Sequence, residues 1–165
     1  MSGTAENTGA VDLSGKELFE FESDFVASLR CIPMAVRYRL DLSGVKLRLN
    51  EWSKLSLADK QEFLEMPVST HEEIDAYRNA LSVKVAAACG TAPSLLVNLP
   101  DALWDSPTVP DQVRDKAAAE NIPLSDTAWR TLSTLQRFAL LKLSRPGHEN
   151  RNFLPAVREF GLLPG

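Results

Sequence analysis

The sequence is poor in the residues that build several common kinds of protein. Its 165 residues include only two cysteines, Cys31 and Cys89, which lie on different segments. Because no secretory signal pattern accompanies them, we expect no disulfide framework and predict a reduced, cytoplasmic location. No stretch approaches the roughly 18 consecutive apolar residues that a membrane-spanning helix needs. The sequence therefore argues against a disulfide-stapled secreted scaffold and against a membrane protein.

Motifs that carry chemistry are equally scarce. The only histidines are His71 and His148, and no CxxC or HxxxH pair gives the ligand spacing of a zinc site. The sequence contains no glycine-rich phosphate loop, no dinucleotide fingerprint and no recognisable Ser-His-Asp context. A net charge of −4 argues against nucleic-acid binding, which needs clustered lysine and arginine. We therefore expect no metal, no cofactor and no enzymatic activity.

What the sequence does contain is an internal repeat with a period of 77 residues. Residues 32–73 match residues 109–150 at ten identical positions without a gap, whereas ordinary composition gives roughly two or three by chance. The matches include Trp52 with Trp129. Gly44 and Asn121 occupy one equivalent position, and these are the two residue types that best tolerate a positive φ. We interpret the pattern as an internal duplication.

The repeat predicts an all-α fold. A first helix opens at Pro33 or Pro110, a second contains Trp52 or Trp129, and a third follows in each copy. The third helix of copy one has a capping box, Thr70 with Glu73, and should end at Gly90. No stretch shows sustained alternation with period two, so we predict an essentially all-α protein. A short helix is also expected from Glu22 to Cys31.

The predicted organisation is a tail, two repeats and a linker. Residues 1–17 are expected to form a disordered tail, because few large apolar residues offset the entropy of ordering. Residues 18–165 are expected to form one globular domain. It contains repeat 1 (32–89), a proline-rich linker (90–108) and repeat 2 (109–161). Two tandem trihelical units would then share one core, since neither is large alone.

Most candidate binding residues lie in the loop that enters the last helix, and three arginines from earlier segments are added to them. Such a loop can bind an anion through arginine and free backbone N–H groups. The structural alternatives are that Asn150 or Asn152 caps the helix, and that a repeated arginine braces the helices through carbonyls or a carboxylate. The predicted set is Arg30, Arg37, Arg114, Arg145, His148, Glu149, Asn150, Arg151 and Asn152.

Three runs of sequence resemble the nitrate reductase-associated protein family. They are residues 21–37 continuing through 40–47, residues 136–143, and residues 148–153, and the resemblance extends over residues 19–163. It implies an accessory protein for the assembly or activity of the cytoplasmic molybdenum nitrate reductase. The family has no agreed catalytic residues that could be carried over to this chain.

Three functions compete at this point. The first is a non-enzymatic factor that contacts nitrate reductase or helps to load its cofactor. The second is a binding protein or enzyme for a molybdopterin-like or other anionic ligand, which would use the loop at residues 145–152 with Arg30 or Arg114. The third is a regulatory or scaffolding helical module for some other enzyme. The sequence leaves the oligomeric state open.

Overall fold

The computed structural model describes residues 18–22, 29–146 and 151–163, and it is mostly helical over this part of the chain. The described residues contain eight α-helices: α1 (Met34–Ser43), α2 (Leu49–Ser53), α3 (Leu57–Glu65), α4 (His71–Cys89), α5 (Asp111–Ala119), α6 (Asp126–Thr131), α7 (Thr134–Leu143) and α8 (Phe153–Glu159). Two short strands, β1 (Val45–Lys46) and β2 (Ser94–Leu95), pair antiparallel. Turns of 3-10 helix occupy Glu20–Glu22 and Leu103–Asp105. The predicted tail at residues 1–17 lies outside the described residues.

The chain divides into two compact units, and Leu18, Glu22 and residues 29–100 are the described part of the first. Its core is built around fully buried Trp52, Phe63 and Tyr77. The Tyr77 hydroxyl donates to the carbonyl of Phe63 at 2.8 Å, and burial raises the pKa of Tyr77 above its usual range. Buried Arg39 donates from Nε to the Met66 carbonyl at 2.8 Å. The buried Tyr77 hydroxyl and Arg39 guanidinium therefore each have a hydrogen-bond partner, as is usual for buried polar groups.

Residues 19–21 and 101–165 form the second unit. Its core contains fully buried Trp129, Phe138 and Phe153. At one end, the Glu159 carboxylate accepts hydrogen bonds from the backbone N–H groups of Glu20 and Phe21, each at 3.0 Å. The segment at residues 19–21 is thereby held on α8, although it is far from that helix in the sequence.

Each tryptophan of the repeat makes the same kind of hydrogen bond. The indole N–H of Trp52 donates to the carbonyl of Leu29 at 2.8 Å, and that of Trp129 donates to the carbonyl of Ser106 at 2.8 Å. Both acceptors lie 23 residues before their tryptophan. In each unit a buried indole therefore fixes the segment that precedes the first helix of the repeat.

Several local predictions are confirmed. Gly44 and Asn121 both have positive φ, +73° and +59°. α4 begins with the predicted capping box, in which the Glu73 N–H donates to Thr70 Oγ1 and the Thr70 N–H donates to Glu73 Oε1, both at 3.1 Å. It ends at Gly90, where φ is +89°.

The predicted second helix of each repeat is wrong in both copies, because the structure divides it in two. Extended backbone at Ser56 separates α2 from α3, and extended backbone at Leu132 and Ser133 separates α6 from α7. The Ser56 hydroxyl accepts from the Asp59 N–H at 3.0 Å, and that of Ser133 accepts from the Gln136 N–H at 3.1 Å. A repeated serine thus starts a new helix where the apolar pattern alone predicted continuation.

The helical fold class is confirmed, and one local prediction is corrected. The prediction of an essentially all-α protein agrees with the mostly helical described residues, and the two-residue strands β1 and β2 are too short to produce a visible alternation in the sequence. β2 also lies within the predicted linker. The short helix expected between Glu22 and Cys31 falls largely on residues 23–28, outside the described part. At its described end the backbone is not helical, since Leu29 has a φ of +57°.

Replacing Trp52 or Trp129 by phenylalanine should remove the indole donor and leave a carbonyl acceptor without its partner. We expect each change to lower the free energy of unfolding by about 1–3 kcal/mol beyond the loss of apolar volume. Chemical denaturation measures this. Phe63→Leu is the control, because it removes buried aromatic volume without removing a donor. Equal losses in Trp52→Phe and Phe63→Leu would contradict the role of the hydrogen bond.

The positive φ values predict opposite effects at equivalent positions. Gly44→Ala and Gly90→Ala should each cost about 1–2 kcal/mol, because an L side chain is strained in the left-handed region. A Cβ at residue 44 also comes within 2.8 Å of Leu99 Cδ2, but this end of an exposed side chain can move aside at small cost. Asn121→Gly should be neutral or stabilising. Thermal melting checks the series, and a neutral Gly44→Ala would contradict it.

Candidate functional site

Arg114, one of the predicted binding residues, braces the second unit. Its Nη2 lies 3.2 Å from Asp126 Oδ1 and 3.4 Å from the carbonyl of Val109. Asp126 Oδ1 also accepts from the Val109 N–H at 2.9 Å. This hydrogen bond, with the Arg114 charge beside it, lowers the pKa of Asp126. The bracing role considered from the sequence is thus observed for Arg114, with Asp126 as the carboxylate.

Arg30 and Arg37 lie in the first unit. Arg30 is exposed in the segment before α1, whereas Arg37 is half-buried on α1 and makes an interaction of its own. Arg30 is the more accessible of the two to a partner or ligand.

The predicted loop is described only at its two ends. His148, Glu149 and Asn150 lie outside the described residues. Arg145 and Arg151 are exposed on either side of them. Asn152 occupies the N-cap position of α8 but its side chain makes no capping hydrogen bond. The structural alternative in which Asn152 caps this helix is therefore not what the structure shows.

A feature that motif reasoning missed is the charge of the C-terminal part of the chain. Residues 127–158 contain six arginine or lysine residues and one acidic residue, Glu149, whereas the rest of the chain contains 12 basic and 21 acidic residues. We call residues 127–158 the basic stretch. A charge count over successive windows of the sequence would have found it.

The cations of the basic stretch differ in their surroundings. Arg137 donates to the carbonyls of Trp104 and Leu132, each at 2.9 Å, and Lys142 Nζ lies 5.2 Å from the centre of the Phe138 ring. These two side chains serve the fold. Arg151 and Arg158, in contrast, are exposed. They are seven residues apart, which corresponds to nearly two full helical turns and places them on one side of α8 and its preceding turn.

The described residues offer little that would support other chemistry. Within them, no group of three or more His, Cys, Asp or Glu side chains is arranged to hold a metal ion. No helix in the described ranges has both the length and the apolar character needed to cross a bilayer.

These observations define a mostly helical protein whose accessible charge is basic near its C-terminal end. The family model of the conserved nitrate reductase-associated protein matches residues 18–160. The match covers most of the chain, and the chain therefore belongs to this family. Neither curated proteins nor solved structures give a significant match.

The lowered pKa of Asp126 predicts a pH-dependent contribution to stability. When a folded-state pKa is depressed, the stabilisation is present above the unfolded pKa, about 3.9 for Asp, and is lost as pH falls through the folded value. Asp126→Asn should therefore melt below the wild type at pH 7, and the gap should close below about pH 4. Asp115→Asn, at an exposed position on α5, is the control. A gap that persists unchanged to low pH would contradict the prediction.

Proposed function

We propose that this protein is a non-enzymatic accessory factor of a cytoplasmic molybdenum nitrate reductase, assisting its assembly, cofactor loading or activity by direct contact. The observation that carries the proposal is the family match across residues 18–160. Nitrate reductase is the partner that the family description names. The absence of a recognisable catalytic motif in the sequence is consistent with action through contact.

The basic stretch is the proposed contact surface. Two of its exposed arginines, Arg151 and Arg158, can each form two parallel hydrogen bonds with a carboxylate. Arginine is also enriched in protein interfaces relative to the rest of the surface. A basic region on a chain of net charge −4 favours an acidic surface on the partner, and this complementarity speeds association and selects orientation. Arg145 and the loop residues His148, Glu149, Asn150 and Asn152 belong to the same proposed surface.

The alternative is that the loop at residues 145–152 binds a molybdopterin-like or other anionic small molecule. Arg114 is less suited to such a site, because its guanidinium already contacts Asp126. A ligand that binds the folded state must raise the melting temperature. Stabilisation by a phosphorylated pterin that is lost on Arg151→Glu would favour this alternative over contact with the reductase.

The internal duplication also remains a proposal. It is supported by positive φ at both Gly44 and Asn121 and by indole hydrogen bonds to acceptors 23 residues earlier in both copies. Each repeat has helices at its first, second and third equivalent positions, α1 to α3 and α5 to α7, with a fourth after them. If duplication is the cause, the ancestral unit had four helices rather than the three first predicted.

The double variant Arg151→Glu, Arg158→Glu should weaken binding to the apo-reductase by about tenfold or more, equivalent to about 1.4 kcal/mol. Wild-type binding should also weaken with added salt, because exposed charge pairs are screened beyond about 10 Å at 0.1 M ionic strength. Biolayer interferometry with purified reductase over a range of salt concentrations measures both effects.

The control is the double variant Lys46→Glu, Lys54→Glu, which makes the same change in net charge at exposed positions of the first unit. It should bind nearly as the wild type does. Equal loss in both double variants would show a general charge effect and would remove the basic stretch as the contact surface. No binding by the wild type to either the apo- or the loaded reductase would overturn the proposed function.

A further inference from the structure

Lys60, on α3, is a lysine that the first unit encloses almost completely. It is only 8% exposed, and its Nζ lies 5.7 Å from the centre of the ring of fully buried Trp52. Lysine usually keeps its ammonium group in water, and the rare lysines that are buried normally have a partner. The surroundings of Lys60 are therefore unusual for a cation.

Among the residues that the structure describes, Lys60 Nζ has neither a hydrogen-bond acceptor nor a carboxylate beside it. Burial is what lowers the pKa of this amine. Charged side chains on the helices packed around it have partners of their own: Arg39 on α1 donates to the Met66 carbonyl, Glu51 on α2 lies 3.7 Å from Arg48, and Lys84 on α4 lies 3.3 Å from Asp59.

The equivalent cation of the second repeat is placed differently. Arg137 donates to the carbonyls of Trp104 and Leu132, each at 2.9 Å. A guanidinium stays protonated in proteins, whereas an amine can lose its proton and become a nucleophile. At this position of the repeat, the first unit therefore holds a group that can react and the second unit holds one that cannot.

The end of the Lys60 side chain reaches the surface. In the described part of the chain, the fully buried side-chain polar atom that lacks a hydrogen-bond partner is Arg137 Nε. Lys60 Nζ also lacks a partner but is not fully buried, so it is the tip of an otherwise packed side chain. A small reagent can reach this tip, whereas an enzyme that draws a lysine into its own active site would first have to separate Lys60 from Trp52.

We propose that Lys60 is an acylation site, at which the chain accepts a small acyl group from a donor of the acyl phosphate class. The lone pair of neutral Nζ attacks the carbonyl carbon, and the bond from that carbon to the phosphate oxygen breaks. Phosphate leaves with the electron pair, and the surplus proton on the nitrogen passes to it. The products are an amide on Lys60 and inorganic phosphate.

The product explains why an acyl group suits this place. An amide is neutral, so acylation removes a charge that burial disfavours. Carbon dioxide is a smaller electrophile, but it would leave a negatively charged carbamate in the same surroundings. Acylation also removes the attraction between the ammonium group and the Trp52 ring. The inference is independent of the proposed function, because it needs no partner protein.

Treatment of the folded full-length protein with limiting acetyl phosphate, followed by mass spectrometry of each lysine, tests the proposal. At pH 8, Lys60 should be acetylated faster than exposed Lys46 and Lys54 by about threefold or more, since ordinary lysines with a pKa near 10.4 are almost fully protonated there. Above about pH 10.4 the order should reverse, because the exposed lysines are then neutral too and are easier to reach. In guanidinium chloride the three lysines should react alike.

A matched pair of variants tests the part played by the missing carboxylate. Leu57 is 39% exposed and lies three residues before Lys60 on α3, where helix side chains are neighbours. At pH 8, Leu57→Glu should slow acetylation of Lys60 by about threefold or more, because a nearby carboxylate favours the protonated amine. Leu57→Gln has nearly the same shape without the charge, and it should leave the rate unchanged.

Acetylation of Lys60 no faster than that of Lys54 at pH 8 would overturn the proposal. A preference that survives in guanidinium chloride would do so as well, since it would come from the local sequence and not from burial. Equal rates in Leu57→Glu and Leu57→Gln would show that protonation of Lys60 does not control the reaction, and the proposal would fail.

Discussion

The hydrogen bond from a buried indole to a backbone carbonyl is the interaction on which each unit depends. Trp52 and Trp129 are fully buried, yet each carries a polar N–H that must find an acceptor. Each finds it in the segment before the first helix of its repeat. The bond therefore performs two tasks at once. It gives the buried indole N–H an acceptor, and it attaches a non-helical segment to a helical core.

Backbone carbonyls are also the acceptors for two arginine side chains. Arg39 and Arg137 donate to backbone carbonyls left open at helix ends and turns, which satisfies those carbonyls, although the buried Nε of Arg137 has no partner. These arginines are components of the fold. Arg151 and Arg158 are exposed instead, and such residues are available for recognition. Basic composition alone does not separate the two groups, because the difference lies in which acceptors the folded chain brings near.

The equivalent residues Lys60 and Arg137 show how far a repeat predicts contacts. Both are basic and begin the second turn of their helix, α3 or α7. Lys60 Nζ lies 5.7 Å from the centre of the Trp52 ring, and burial lowers the pKa of Lys60. Arg137 spans two carbonyls. An ammonium group and a planar guanidinium have different donor geometries, so similar residues at equivalent positions form different contacts.

The sequence by itself determined the local features whose cause is local: the capping box at Thr70, the helix end at Gly90, the positive φ at Gly44 and Asn121, and the family. It predicted one continuous second helix in each repeat, whereas Ser56 and Ser133 each start a new helix. The apolar periodicity continues through the break between the two helices, and the serine hydroxyl stabilises that break. Only the tertiary structure determined three further outcomes. The Asp126 carboxylate pairs with Arg114, and the Glu159 carboxylate accepts hydrogen bonds from the backbone of residues 20 and 21. Leu95 is exposed although its cross-strand neighbour Val45 is buried. Those outcomes join residues distant in sequence, and no local pattern records which distant partner reaches a given side chain.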